Sequence, residues 1–250
     1  EAGETSGVAY FEWSAADDAD PDDPATWWSC MPALGHTVTE DVIRADHDSL
    51  DPAEFARAYL NRRATAGRPV IGGPIWAACR EPRSQLRGMP CFALDATPDR
   101  ALATIGVAGW REDRRTHVEI VEHRAGTGWV PERLAHLQRR WAPLPVIVDP
   151  GGPAGSLLVD LAAAGVSTET LSAREYAQAC GQFYDAVGDG ALVHLDQPVL
   201  GGAVASARKR VLGDSWAWAR KGGADISPLV AVTLARWGLV KSGQGEAQIL

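Results

Sequence analysis

The apolar positions of the chain change their period near residue 90. Before it the recurrence is helical: after Asp51-Pro52-Ala53-Glu54, with proline at a first helical position, Phe55, Tyr59 and Leu60 return on one helix face. Val8–Trp13 predicts a short strand, and Trp27-Trp28 with Met31-Pro32-Ala33-Leu34-Gly35 predicts packing followed by a turn. The run RRATAGRPVIGGP then interrupts regular structure. A boundary is expected between that run and Pro90, separating residues 1–88, mainly helical, from residues 89–250.

From Cys91 the period becomes that of strands. Cys91–Leu94 and Ala101–Trp110 flank the turn residues Thr97-Pro98-Asp99, and THVEIVEHRAG, starting at Thr116, adds a third strand to make a meander. In that third strand His117, Glu119 and Val121 alternate with Val118, Ile120 and Glu122, as at a sheet edge. Pro131–Trp141 predicts an amphipathic helix with Leu134, Leu137 and Trp141 on one stripe. Val146-Ile147-Val148 is apolar throughout, which predicts a central strand buried on both faces and ending at Asp149. A helix over Ser156–Ala164, a strand over Ser167–Leu171, a helix over Arg174–Val187 and an extended piece over Ala191–Leu195 follow.

The last fifty residues read as a helix over Pro198–Leu212, a short strand carrying Trp216 and Trp218, and a buried helix. Leu200, Val204, Ala207 and Val211 form the stripe of the first, with Arg208, Lys209 and Arg210 at its end, where cations suit the helix dipole. Ser227-Pro228 is the N-cap and first residue of the last helix, which continues through Leu229, Val230, Leu234 and Trp237.

Composition narrows the class. The 250 residues are 46% hydrophobic and 22% charged, ordinary for one or two domains with a sizeable core. No run approaches the roughly 20 apolar residues of a membrane span. The amino terminus, EAGETSGVAYFEW, lacks the basic and apolar regions of a secretory signal, so a cytoplasmic location is expected. Cys30, Cys79, Cys91 and Cys180 are widely spaced and fit reduced, buried thiols rather than a zinc site. The net charge of −8 hides an asymmetry: residues 1–60 carry 14 Asp/Glu against 2 Arg, leaving the remainder at +4. The acidic character belongs to the amino-terminal segment, and the rest tolerates a polyanion. The acidic run Asp17–Pro24 lacks the spacing of a calcium-binding EF-hand and reads as a solvated loop.

The candidate chemistry lies in three acids. Asp95 closes the first strand of the meander, Asp149 closes the central strand, and Asp225 precedes the last helix. Singly, each is an ordinary turn or capping residue. Together their order is that of an RNase H-like mixed sheet flanked by helices, whose fixed strand ends and helix start hold carboxylates around two divalent ions about 4 Å apart. Such crowded carboxylates favour Mg²⁺ or Mn²⁺, one ion activating water and the other stabilising the departing 3′ oxygen. The loop Pro150-Gly151-Gly152-Pro153-Ala154-Gly155 could cradle phosphate, but no lysine precedes residue 209, which disfavours a P-loop ATPase; close backbone approach, either of sheet to helix or of protein to a DNA strand, is the use expected of these glycines.

These stretches bear a family resemblance. YFEWSAADDADPDDPATWWSCMPALG, DPAEFARAYLNR, CFALDATPDRALATIGVAG, PVIVDPGGPAGSL and GDSWAWARKGGADISPLVAVTLARWG together resemble the large terminase subunit of tailed bacteriophages, over nearly all of the chain. The resemblance implies a metal-dependent endonuclease that cuts concatemeric double-stranded DNA during genome packaging in the host cell cytoplasm. Its metal ligands match Asp95, Asp149 and Asp225, with Asp99 a weaker candidate. The portal and the small terminase subunit are the implied partners. A whole large terminase also carries an amino-terminal ATPase, so this chain looks like a fragment in which residues 1–88 are the tail of the motor region and its linker. Sequence-tolerant DNA binding is assigned to Arg208, Lys209, Arg210 and Lys221, with Arg139 and Arg140 as further candidates. Two alternatives stand beside this reading. One is a non-catalytic module that docks DNA or the portal; the other is an actin-like ATPase, which the absence of glycine in Ala96-Thr97-Pro98 disfavours.

Overall fold

The computed structural model describes residues 11–16, 19–50, 52–62, 69–221 and 224–246. The chain forms two compact units, Glu1–Arg68 and Pro69–Leu250. Residues 69–88, grouped by sequence with the acidic segment, therefore fall in the second unit; Ile71, Trp76 and Cys79 are buried in its core.

The first unit is helical. Helices α1 (Pro24–Cys30), α2 (Glu40–Ser49) and α3 (Pro52–Ala58) enclose a small core of Trp27, Ile43, Phe55 and Leu60. Asp23 caps α1 by accepting the Ala25 N–H at 2.9 Å, and Pro24 follows at the position where a missing N–H costs nothing. Of the predicted strand Val8–Trp13, residues 8–10 lie outside the described part, as do Asp17 and Asp18 of the acidic run, and residues 11–13 form no strand.

The second unit begins with the short helix α4 (Gly73–Ala78) and is built on a six-stranded mixed sheet. Strands β1 (Arg87–Ala96), β2 (Leu102–Trp110) and β3 (Thr116–Ala125) form the antiparallel meander, and α5 (Val130–Trp141) leads to β4 (Val146–Val148), parallel to β1. A 3₁₀ turn over Pro153–Leu157 takes up the start of the predicted Ser156–Ala164 helix, leaving α6 as Leu158–Ala163. Then come β5 (Thr168–Thr170), α7 (Ala173–Gly188) and β6 (Leu192–His194), the last pairing in parallel with β3 at the far edge. The strand order is β5-β4-β1-β2-β3-β6.

The central position of β1 explains its continuous apolar run. Phe92, Leu94 and Ala96 face the core under α5, while Cys91 and Ala93 face the opposite core; by the two-residue period Asp95 belongs to that second face. The second face is covered by α9 (Ser227–Glu246), in which Leu229, Val230, Ala231, Val232 and Leu234 are all fully buried. A helix segment buried on every side must be apolar nearly all round, as residues 227–235 are; the polar Arg236 and Lys241 follow where the helix reaches the surface. Two glycines let it sit close. A Cβ at Gly106 would come within 2.9 Å of the Ala231 backbone, and one at Gly238 within 2.7 Å of Cys91 Sγ. Trp141, placed by sequence on the apolar stripe of α5, ends that helix 50% exposed.

One predicted element is different in kind. Helix α8 stops at Ser206 (Pro198–Ser206), and Lys209–Leu212 is a strand, β7, paired with β8 (Ser215–Trp218) across Gly213-Asp214. Gly213 has φ +60°, and a Gly-Asp pair between two β-prone runs favours the hairpin that the helical reading of Val211 overlooked. The hairpin is anchored by Trp218, fully buried, whose indole N–H donates to Thr233 Oγ1 of α9 at 3.0 Å.

Candidate active site

Asp95 and Asp149 stand at the same end of neighbouring parallel strands, one residue beyond the Leu94–Val148 pair. Asp95 has no exposed surface and Asp149 is 6% exposed. Burial pushes the Asp95 carboxyl up to about 6, against the opposing pull of Arg220. Two buried carboxylates this close need a cation, and Arg220, just past β8, supplies it. Its Nε and Nη2 donate to Asp95 at 3.2 and 3.1 Å, and its Nη1 donates to Asp149 Oδ2 at 2.9 Å. The guanidinium lies 4.7 Å from the Tyr176 ring centre, in cation–π range.

The loop after β4 is shaped by this pair. Asp149 Oδ1 accepts the Gly151 N–H at 3.0 Å, which fixes the carboxylate. A Cβ at Gly152 would lie 3.0 Å from Arg220 Nη2 and 3.1 Å from Asp149 Oδ2, so the bare glycine leaves room for the ion pair. A Cβ at Gly155 would collide with the Pro150 carbonyl. Gly152 and Gly155 thus serve close approach within the protein.

Asp225 is held differently. Its Oδ1 accepts the Ser227 N–H at 2.8 Å at the start of α9, and its Oδ2 lies 3.5 Å from His123 Nε2. Across the sheet Asp95 pairs with Thr104 and Thr104 with His123, so a carboxylate, a hydroxyl and an imidazole stand in one row. Thr104 Oγ1 is 2.7 Å from His123 Nδ1 and 2.8 Å from Ser227 Oγ. Among the described residues no three His, Cys, Asp or Glu side chains converge as a metal-holding set. Asp99 serves the turn: its Oδ1 accepts from Thr97 Oγ1 at 2.6 Å and from the Ala101 N–H at 3.1 Å.

The cations sort into three groups. A groove of about 750 Å³ beside the carboxylates is lined by Arg100, Gly151, Gly152, Arg210, Arg220 and Lys221. Arg210 and Lys221 were named from sequence. Arg100 and Arg220 were not assigned to DNA or to the acids, because a turn arginine and a cation that follows Trp216 and Trp218 on one strand face carry no spacing that points to either. Arg208 donates to the Ala207 carbonyl at 2.8 Å, and Lys209 packs 4.2 Å over Trp216 and 4.8 Å over Tyr184. Arg140 lines a separate cavity beneath α5, and Arg139 is exposed on that helix.

Two carboxylates that share one cation are hard oxygen donors, the chemistry that a divalent ion takes, and Asp95 and Asp149 are the residues that would hold it.

A mixed sheet in this order, flanked by helices and carrying acids at adjacent strand ends, has the RNase H-like nuclease fold. More narrowly, it is the fold of phage large-terminase nucleases. The large terminase of bacteriophage HK97 superposes with a TM-score of 0.56 at 18% identity, covering 90% of this chain and 56% of that one. The large terminase nuclease from thermophilic phage G20c gives 0.53 at 14% identity, covering 67% of this chain and 97% of that nuclease. The same nuclease with bound magnesium gives 0.53, and with bound cobalt 0.51, at 14% and 13% identity, each covering 68% of this chain and 96% of the nuclease. The chain thus spans little more than half the length of the HK97 protein. No protein-family model and no curated protein sequence matches it.

Proposed function

We propose that the second unit is a metal-dependent endonuclease that cleaves concatemeric double-stranded DNA during viral genome packaging, in the host cell cytoplasm. The observation that carries this reading is the meeting of Asp95 and Asp149 on one cation beside a basic groove. The fold shared with terminase nucleases, one of them solved with magnesium and with cobalt, supports it. Among the described residues no helix is long and apolar enough to cross a membrane.

In this reading Arg100, Arg210 and Lys221 take the DNA backbone by its phosphates, which positions a duplex without reading its sequence. Asp95, Asp149 and Asp225 are the metal-binding acids, and Asp99 shapes the turn beside them. Two divalent ions, Mg²⁺ or Mn²⁺, would supply a deprotonated water at neutral pH and charge stabilisation at the leaving 3′ oxygen. Arg220 neutralises the Asp95–Asp149 pair in the resting site and releases their oxygens when the site is loaded. Lys209 stiffens the β7–β8 hairpin that delivers Arg220, and Arg208 anchors its base. In the full packaging machine the portal and the small terminase subunit are the proposed partners, and the first unit, residues 1–68, is the proposed connection to the motor.

The test is nicking of supercoiled plasmid by the full chain in Mg²⁺ or Mn²⁺, with a chelator control. One observation favours a second reading: the Arg220 bridge is also what two purely structural acids would show. In that case the module docks DNA or portal without cutting, and Mn²⁺ titration finds no binding that Asp149→Asn removes.

A further inference from the structure

Three features of His123 set it apart from an ordinary edge histidine. It stands in the same cross-sheet row as Asp95, through Thr104. Its Nε2 lies 3.5 Å from Asp225 Oδ2, the spacing of two donors that sit side by side on one ion, while 19% of its side chain and 22% of that of Asp225 stay exposed. Its other nitrogen is held: Nδ1 lies 2.7 Å from Thr104 Oγ1, which lies 2.8 Å from Ser227 Oγ. In the tautomer protonated at Nδ1, the one a bound ion selects, Nδ1–H donates to Thr104 Oγ1 and the Nε2 lone pair faces the side of Asp225. A metal-bound imidazole characteristically donates its second N–H to a fixed acceptor in this way.

We propose that His123 is a metal ligand, the nitrogen donor of the centre, acting through Nε2 beside Asp225 Oδ2 with Thr104 and Ser227 as its orienting shell. The inference rests on the nuclease reading and extends it, because an all-carboxylate site suits Mg²⁺ whereas one imidazole shifts preference toward Mn²⁺ and Co²⁺. Thr104 has no exposed surface and cannot contact DNA, so its hydroxyl acts only through the groups it holds. The row also gives a role to the fully buried Thr104 of β2, whose buried neighbours Ala103, Ile105, Val107 and Ala108 are apolar. An apolar neighbour for Asp95 would pack as well but would leave the imidazole free to turn.

The experiment uses Mn²⁺ as the probe on the full chain. Pulsed electron paramagnetic resonance of the Mn²⁺-loaded protein should show the ¹⁴N coupling of a directly bound imidazole. It should change to a ¹⁵N pattern when wild-type protein is labelled with ¹⁵N-histidine, and vanish in His123→Gln. Calorimetry should find Mn²⁺ bound at least about tenfold more weakly by His123→Gln, and more weakly by Thr104→Val. Mn²⁺ that binds, is lost on Asp95→Asn and shows no nitrogen coupling would remove His123 from the centre and leave the nuclease reading standing. Absence of any Mn²⁺ binding by wild type would overturn both. The isotope arm needs no substitution, so it decides the question even if a variant fails to fold.

Discussion

Asp95 and Asp149 lie on adjacent strand ends and share a single guanidinium, three hydrogen bonds from Arg220 spanning the two carboxylates at 2.9 to 3.2 Å. The arrangement is self-consistent only while a cation occupies it. Removing the cation leaves two buried charges without compensation, and that asymmetry makes the site testable.

Arg220→Ala should destabilise the metal-free protein by roughly 3–5 kcal/mol, the cost of breaking a buried ion pair from one side. Added Mn²⁺ should raise the melting temperature of the variant more than that of wild type. An equal rise in both proteins would show that the ion binds elsewhere.

The Asp95 carboxyl, pushed up to about 6 from 3.8, makes a signed prediction for pH. The folded state holds this proton more tightly than the unfolded chain does, so its contribution is full below pH ~4 and lost as pH rises through ~6. The difference in urea-unfolding free energy between wild type and Asp95→Asn should therefore change between those values, with wild type losing ground as pH rises. A pH-independent difference would place the Asp95 proton in the ordinary carboxylate range.

How much of this was legible beforehand depends on the residue. The meander, β4 and α9 follow from local period, because β1 and β4 are buried on both faces and the first half of α9 on every side. Asp95 and Asp149 could be named because each ends an apolar run. Arg220 could not: its role arises from a hairpin that returns the chain to the sheet, and only Gly213-Asp214 hinted at that hairpin. His123 was equally hidden, since its partner Thr104 is set by strand register across a bulge between Ile105 and Gly106. Long-range register and hairpin return are tertiary facts, and the period of a single segment does not encode them.

Groove cations should separate from hairpin cations in DNA binding. Arg100→Ala, Arg210→Ala and Lys221→Ala should each weaken binding across sequences and reduce the salt slope by about 1. Lys209→Ala, which loses its stacking on Tyr184 and Trp216, should act through hairpin stability and leave the salt slope nearly unchanged. Equal slopes for all four variants would erase the groove as the phosphate track.

The seating of α9 predicts a stability defect far from the carboxylates. Gly238→Ala places a methyl group against Cys91 Sγ and Ile147, and overpacking of this kind costs about 1–3 kcal/mol. Leu234→Ala, a cavity at a fully buried position, should cost about 2–5 kcal/mol. Chemical denaturation of both variants reads these directly; unchanged midpoints would mean that α9 does not pack on β1 and β4 as described.

The central claim, that Asp95 and Asp149 form a metal-dependent cutting site, is tested most directly by the nicking of supercoiled plasmid DNA in Mn²⁺ by wild type and Asp149→Asn side by side, with folding checked by circular dichroism. The account predicts chelator-sensitive nicking by wild type and none by the folded variant. Equal nicking by both proteins, or none by wild type, would contradict it.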